Sequence, residues 1–247
     1  MRLQQLILHL VFILLLIPLT ANAESNKDWE FELAPFYLWA INISGDVGLV
    51  GRTSSTQVEF SDVWDNLEGV FTTRFSTVYK KKFGLMVDYN YLDLGKEKDS
   101  ERINLEVGFT SKILNLAGTY RVIDDKHRLD GLAGIRYISM DVSFDFPDIN
   151  QDLSGDYSWT DPILGLLYRY PFNERWGLRL YGDIGGFGVG SDFTWQSVAL
   201  LTYQPWENVA FALGYRALGA DYVSDGSNAF TYDATTHGPL FGIDFRW

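Results

Sequence analysis

The segment Gly182–Gln196, GDIGGFGVGSDFTWQ, crowds five glycines into nine residues and then returns to aromatic and polar side chains. Gly186, Gly188 and Gly190 superficially suggest a phosphate-cradling loop. A dinucleotide loop, however, needs G-x-G-x-x-G between a strand and a helix. Here the residues that follow, SDFTWQSVALLTY, alternate as a strand does. The glycines are therefore expected at a tight hairpin tip that needs positive φ, with Gly185 leaving space beside Arg179 and Tyr181. Just before the tip, Leu178, Leu180 and Ile184 alternate with Arg179 and Asp183. This period of two belongs to a strand with one apolar and one polar face.

The same alternation runs through most of the chain. Trp29, Phe31, Leu33, Pro35, Tyr37, Trp39 and Ile41 form one greasy face opposite Glu30 and Glu32. Leu114, Leu116, Tyr120 and Val122 face away from Asn115 and Arg121, and Leu164, Leu166, Tyr168 and Tyr170 face away from Asp161 and Arg169. Ten strands are predicted, from Trp29–Ile41 to His237–Trp247. GDVGLVGRTSSTQVEFSDVWDNLEG forms either two more strands or an external hairpin with a helical turn at Asp62–Leu67. Aromatic residues cluster near strand ends on the apolar face, as in the girdles of membrane barrels. PWEN, FNER, DDKHR and KKKFG are short turns, whereas the connections near Gly45–Glu68, Gly95–Arg102, Ser143–Tyr157 and Ser224–Thr231 are mostly long. Short turns on one side and long loops on the other describe an all-β, antiparallel up-and-down transmembrane barrel of about ten strands, with eight or twelve as the alternatives.

The first 23 residues, MRLQQLILHLVFILLLIPLTANA, have one early positive charge, an apolar run and a small-residue ending, the plan of a secretory signal peptide. The run is shorter than the roughly 20 residues a spanning helix needs. The expected organisation is thus a leader over 1–23 and one barrel over 24–247. The chain has no cysteine, which excludes a disulfide scaffold and a lipidated cysteine. Its net charge of −12 argues against a nucleic-acid partner, whose phosphates require a basic face.

AGIRY at Ala133–Tyr137, YGDIGGFGVGSDFTWQ at Tyr181–Gln196, GYRALGADY at Gly214–Tyr222 and the final aromatic resemble a widespread family of Gram-negative outer-membrane β-barrel proteins. The likeness extends from APFYLWA at Ala34 to Trp247. It implies an outer-membrane location and a barrel fold, and it brings no catalytic residues to carry over.

The face assigned to the lumen holds Glu30, Glu32, Asp88, Asp130, Asp161, Asp183 and Asp244 against Arg74, Arg121, Arg136, Arg169, Arg179, Arg216 and Arg246. Charges of both signs in a narrow interior are expected to interlock. The barrel would then be a filled structural component or a narrow charge-lined channel for small solutes. Asp148, Asn150 and Asp152 match the opening of a calcium loop, but Leu153 and Trp159 occupy its glycine and glutamate positions, and a solvated acidic surface loop is the expected state. The alternative function is a lipid-modifying barrel enzyme of acyl-hydrolase type. It would draw on His237 near Asp233, Thr235 or Thr236, although no G-x-S-x-G elbow exists and His127 sits in a basic turn. No enzymatic activity, cofactor or metal is expected. The expected partners are outer-membrane lipid, lipopolysaccharide and the assembly machinery that reads a terminal aromatic, with the protein a monomer.

Overall fold

The computed structural model describes residues 28–49, 52–99, 105–146, 151–224 and 229–247. The leader lies outside them. The elements in order are β1 (Trp29–Ala34), β2 (Tyr37–Trp39), β3 (Asn42–Leu49), β4 (Arg52–Val58), α1 (Phe60–Asp65), β5 (Leu67–Tyr79), β6 (Phe83–Asp99) and β7 (Leu105–Asp124). They are followed by β8 (Arg128–Phe146), β9 (Gln151–Pro171), β10 (Trp176–Gly186), β11 (Phe193–Trp206), β12 (Val209–Val223) and β13 (Phe230–Arg246). From β5 to β13 each strand pairs antiparallel with the next. One further wall position is filled in succession by β1, β2 and β3, all paired with β13. The pairing of β1 with β5 closes the ring, so the barrel has ten staves. The Gly45–Gly69 stretch is the hairpin β3–β4 followed by the short helix α1 and adds no staves.

The apolar face points outward. Leu180 and Ile184 are 39% and 50% exposed, while Arg179 and Asp183 beside them are 3% and 5% exposed. An outer wall of leucine, isoleucine, phenylalanine, tyrosine and tryptophan has no place in water but matches a hydrocarbon slab. At the short-turn end Trp29, Tyr79, Phe83, Tyr120, Phe172, Trp176, Trp206 and Trp247 form the aromatic rim. Lys80, Lys82 and Lys126 lie over the rings of Tyr79, Tyr120 and Tyr170 at 5.2, 5.4 and 5.7 Å. The ammonium groups stay wet while their stems cover the rings.

Two expectations are corrected. The connections near Gly95–Arg102 and Ser143–Tyr157 are largely strand: β7 and β9 run for 20 and 21 residues, against the roughly 9–11 that cross a bilayer. Ladder hydrogen bonds require no apolar face, so pairing persists above the membrane, as between Ser143 and Ser154. The greasy face of the first stave is also not continuous. Glu30, Glu32 and Ala34 point inward in β1, but beyond Pro35 it is Tyr37, Ile41 and Ile43 that are buried, with Phe36 and Leu38 exposed. Proline has no N–H for the ladder, and the unpaired Pro35–Phe36 step shifts the alternation by one residue.

The glycine-rich tip is a tight turn. Gly186, Phe187 and Gly188 have φ of 87°, 53° and 72°, so the two glycines supply the left-handed conformations the turn requires. Gly185 serves a different end from lumen space: a Cβ there would lie 2.3 Å from the Pro162 carbonyl oxygen on β9.

Candidate functional site

The interior is built in storeys, because inward side chains from all ten staves meet at successive heights. Nearest the short turns, Glu32 is surrounded by Arg74 at 3.0 Å, Arg179 at 2.9 Å and Arg246 at 3.2 Å. Asp244 takes Arg179 at 3.1 Å and Arg246 at 3.9 Å. Asp130 takes Arg121 at 2.9 Å and Arg169 at 2.8 Å, and Glu30 lies 3.7 Å from Arg121. Above this cluster sits a layer of small and apolar residues, among them Met86, Val198, Leu200, Ala212 and Leu240, around a cavity of about 40 Å³.

The second polar storey crosses the lumen. Arg136 on β8 is fully buried; its Nε donates to Asn115 Oδ1 at 2.8 Å, its Nη1 to Thr194 Oγ1 at 2.9 Å and its Nη2 to both Asp183 oxygens at 2.9 and 2.7 Å. Arg216 on β12 reaches across to β6, where its Nη2 meets Asp88 at 3.2 Å. It also donates to Tyr37 Oη at 2.8 Å and to Gln196 Oε1 at 2.9 Å. The Tyr37 hydroxyl lies 2.6 Å from Asn90 Oδ1, and Asn90 Nδ2 donates to Asp88 at 2.7 Å. Asn115 and Gln196 each touch both halves, so the storey is one connected network. Apart from Arg216 Nε, which is buried without a partner, the arginine donors of this network are met, and breaking any member strands its partner in a low dielectric.

Of the fourteen charged residues considered above, every one except Asp161 stands in an ion pair. Asp161 faces Arg136 in the β8–β9 ladder, but its carboxylate is occupied from the external turn. Ser191 N–H donates at 2.6 Å, Ser191 Oγ at 2.8 Å and Trp159 Nε1 at 3.1 Å. The glycine-rich turn is thereby pinned down onto the wall. Asp161→Ala leaves the buried Ser191 donors and the Trp159 N–H unmatched and is expected to cost roughly 1–3 kcal/mol. Limited proteolysis should then cleave at 187–192, and an uncut turn would contradict the pin.

Sequence reasoning passed over the neutral members Tyr37, Asn90, Asn115, Thr194 and Gln196. The signal was available for two of them, Asn90 and Asn115, which share an inward strand phase with Asp88 and Arg121; β11, which carries Thr194 and Gln196, has no charged residue to set its phase, and Tyr37 was hidden by the phase shift at Pro35. It also passed over the top storey, where Ile113, Ile138, Met140, Trp159, Leu218, Phe230 and Tyr232 form an apolar core inside the barrel. Trp159 stacks on Tyr222 and Tyr157 on Phe230, both at 4.1 Å between ring centres. A cavity of about 50 Å³ lies in this storey. His237 is on the outer wall, its Nδ1 2.6 Å from the Tyr215 hydroxyl. Asp148 and Asn150 lie outside the described residues, and Asp152 stands opposite Asp145 in the ladder. No cluster of metal-holding side chains occurs among the described residues.

No family model matches the sequence, and no curated protein matches it. Similarity appears among solved structures. The outer-membrane protease OmpT of Escherichia coli superimposes with a TM-score of 0.55 at 7% identity, covering 92% of this chain and 99% of that one. The transport unit of the autotransporter AIDA-I from Escherichia coli gives 0.43 at 8% identity, covering 95% of each chain. Ail, the attachment invasion locus protein of Yersinia pestis, gives 0.39 at 12% identity, covering 89% of this chain and 98% of its own. At such identities the first of these speaks to fold alone, and the fold is that of an outer-membrane β-barrel.

Proposed function

We propose that this protein is a monomeric outer-membrane barrel, exported by its leader, that serves as a structural, surface-presenting component with its lumen closed to solutes at rest. Outer-leaflet lipid and lipopolysaccharide are its standing neighbours, and the barrel-assembly machinery is its transient partner. The observation that supports this reading is the storey linking Arg136 and Arg216. It runs from β2 and β6 to β10, β11 and β12, and the cavities on either side of it measure only about 40 and 50 Å³. Spaces of that size hold a few waters. A hydrated solute has no route past two ion-paired layers and an aromatic roof.

Planar bilayers test this directly. Purified barrel is expected to give no openings, whereas Arg179→Ala combined with Arg216→Ala removes one guanidinium from each polar layer and should produce measurable current. Steady conductance from the unaltered protein would overturn the closed-lumen reading. Silence from the double variant, provided it remains folded, would move the seal to the aromatic storey.

A further inference from the structure

The ring is not laddered along its whole height. Pairing between β1 and β5 ends at Ala34 opposite Arg74. Above that point β2 pairs with β13, and β3 pairs with β13 and β4. The edge of β5 from Leu67 to Thr73 that faces this stave has no ladder partner among the described residues. Hydroxyl groups stitch the gap instead. Tyr37 N–H donates to Thr72 Oγ1 at 3.0 Å, Thr72 Oγ1 donates back to the Tyr37 carbonyl, and Thr73 Oγ1 donates to the Ala34 carbonyl at 3.1 Å. Pro35, which cannot donate, sits where the two strands part.

The seam lies at membrane height. Leu38 stands directly opposite Phe241 in the ladder, and both face outward and exposed. On the other side Phe71 and Tyr89 form an outward aromatic pair at the same wall. The gap also leads inward. Val70 shares the inward phase of buried Thr72, yet it is 37% exposed. The cavity of the top storey is lined by the seam residues Trp39, Val70 and Thr72 together with Ile113, Met140 and Leu218 from the interior. Its lining is polar at Thr72, Asn90 and Ser111, and the Arg216 guanidinium lies 4.5 Å from the Trp39 ring centre.

We infer that this seam is a lateral docking slot for one hydrocarbon chain of an outer-leaflet lipid, whose tip enters the apolar storey between β2 and β5. The occupant follows from position. Threonine hydroxyls meet the Tyr37 N–H and the Tyr37 and Ala34 carbonyls, and the outward side chains beside them, Leu38, Phe71 and Phe241, are aliphatic or aromatic. Material adjoining such a wall inside a bilayer is lipid tail. The inference rests on the membrane placement proposed above.

The test folds the full chain into phosphatidylcholine vesicles doped with a phosphatidylcholine carrying a photoactivatable diazirine at the end of one acyl chain, then maps adducts by mass spectrometry. Adducts are expected on outward Leu164 and Leu166 and also on inward Ile113, Met140 or Leu218. Val70→Trp fills the slot and should abolish the inward adducts while keeping the outward ones. Thr72→Val removes a stitch at nearly constant shape and should raise the inward yield. Native protein labelled only on the outer wall would overturn the slot, as would inward labelling that survives Val70→Trp. Absence of outward adducts as well would instead overturn the membrane placement.

Discussion

Arg136→Ala is expected to destabilise the folded barrel by roughly 3–5 kcal/mol, the usual cost of deleting one partner of a buried ion pair. The guanidinium is wholly enclosed and serves three strands at once: Asn115 on β7, Asp183 on β10 and Thr194 on β11. Its removal strands the Asp183 carboxylate, whose own side chain is fully enclosed. Urea titration of the folded protein in lipid vesicles measures the loss. The comparison that identifies the cause is Arg136→Met combined with Asp183→Leu. Replacing both charges with apolar groups of similar size removes the stranded anion and should recover most of the stability. A loss below about 1 kcal/mol for Arg136→Ala would mean that water reaches this storey freely, as it does for exposed pairs.

Gly238→Val is expected to prevent closure of the ring. Gly238 lies on β13 opposite Arg216, at the bend where β2 gives way to β3. A Cβ at this position would stand 1.7 Å from the Ala40 carbonyl oxygen. The obstacle is backbone, held in place by the Ala40 N–H bond to the Pro239 carbonyl at 2.9 Å, so no rotamer change relieves it. The strain therefore falls at or above the roughly 1–3 kcal/mol of ordinary overpacking. It also falls on the stave that joins the two ends of the sheet. On unheated gels, where folded barrels migrate differently from boiled ones, the folded band should be missing. Gly118→Val is the control. Its Cβ would find its nearest neighbour at 3.9 Å on the exposed outer wall, and the folded band should remain. Equal folding of both variants would show that the bend shifts to admit a side chain.

These two residues also mark how much was readable beforehand. Arg136 belongs on an inward face by simple alternation with Ile135 and Tyr137, and its burial was legible. Its choice of Asp183 over Asp161 was not. Asp161 is its ladder neighbour and the partner that strand pairing alone suggests. The external turn folds back so that Ser191 fills the Asp161 carboxylate first. The apolar top storey was missed for a related reason. In a membrane barrel both faces can be apolar at one height, and Leu218 then gives no contrast with Ala217 and Gly219 beside it. Gly238 gave no signal either, since only the bend of a strand far away in sequence makes its missing side chain necessary.

The sequence by itself determined the period of two, the outward apolar wall, the inward charges, a stave count near ten and the tight tip at Gly186–Gly188. All of these follow from side-chain polarity and backbone freedom acting within one strand or one turn. Tertiary structure alone decided which arginine meets which carboxylate, the phase shift after Pro35, and the unladdered seam between β2 and β5. Those depend on how a closed ring brings β12 across to β6 and β13 back to the first stave, and such distances arise only once the ring exists.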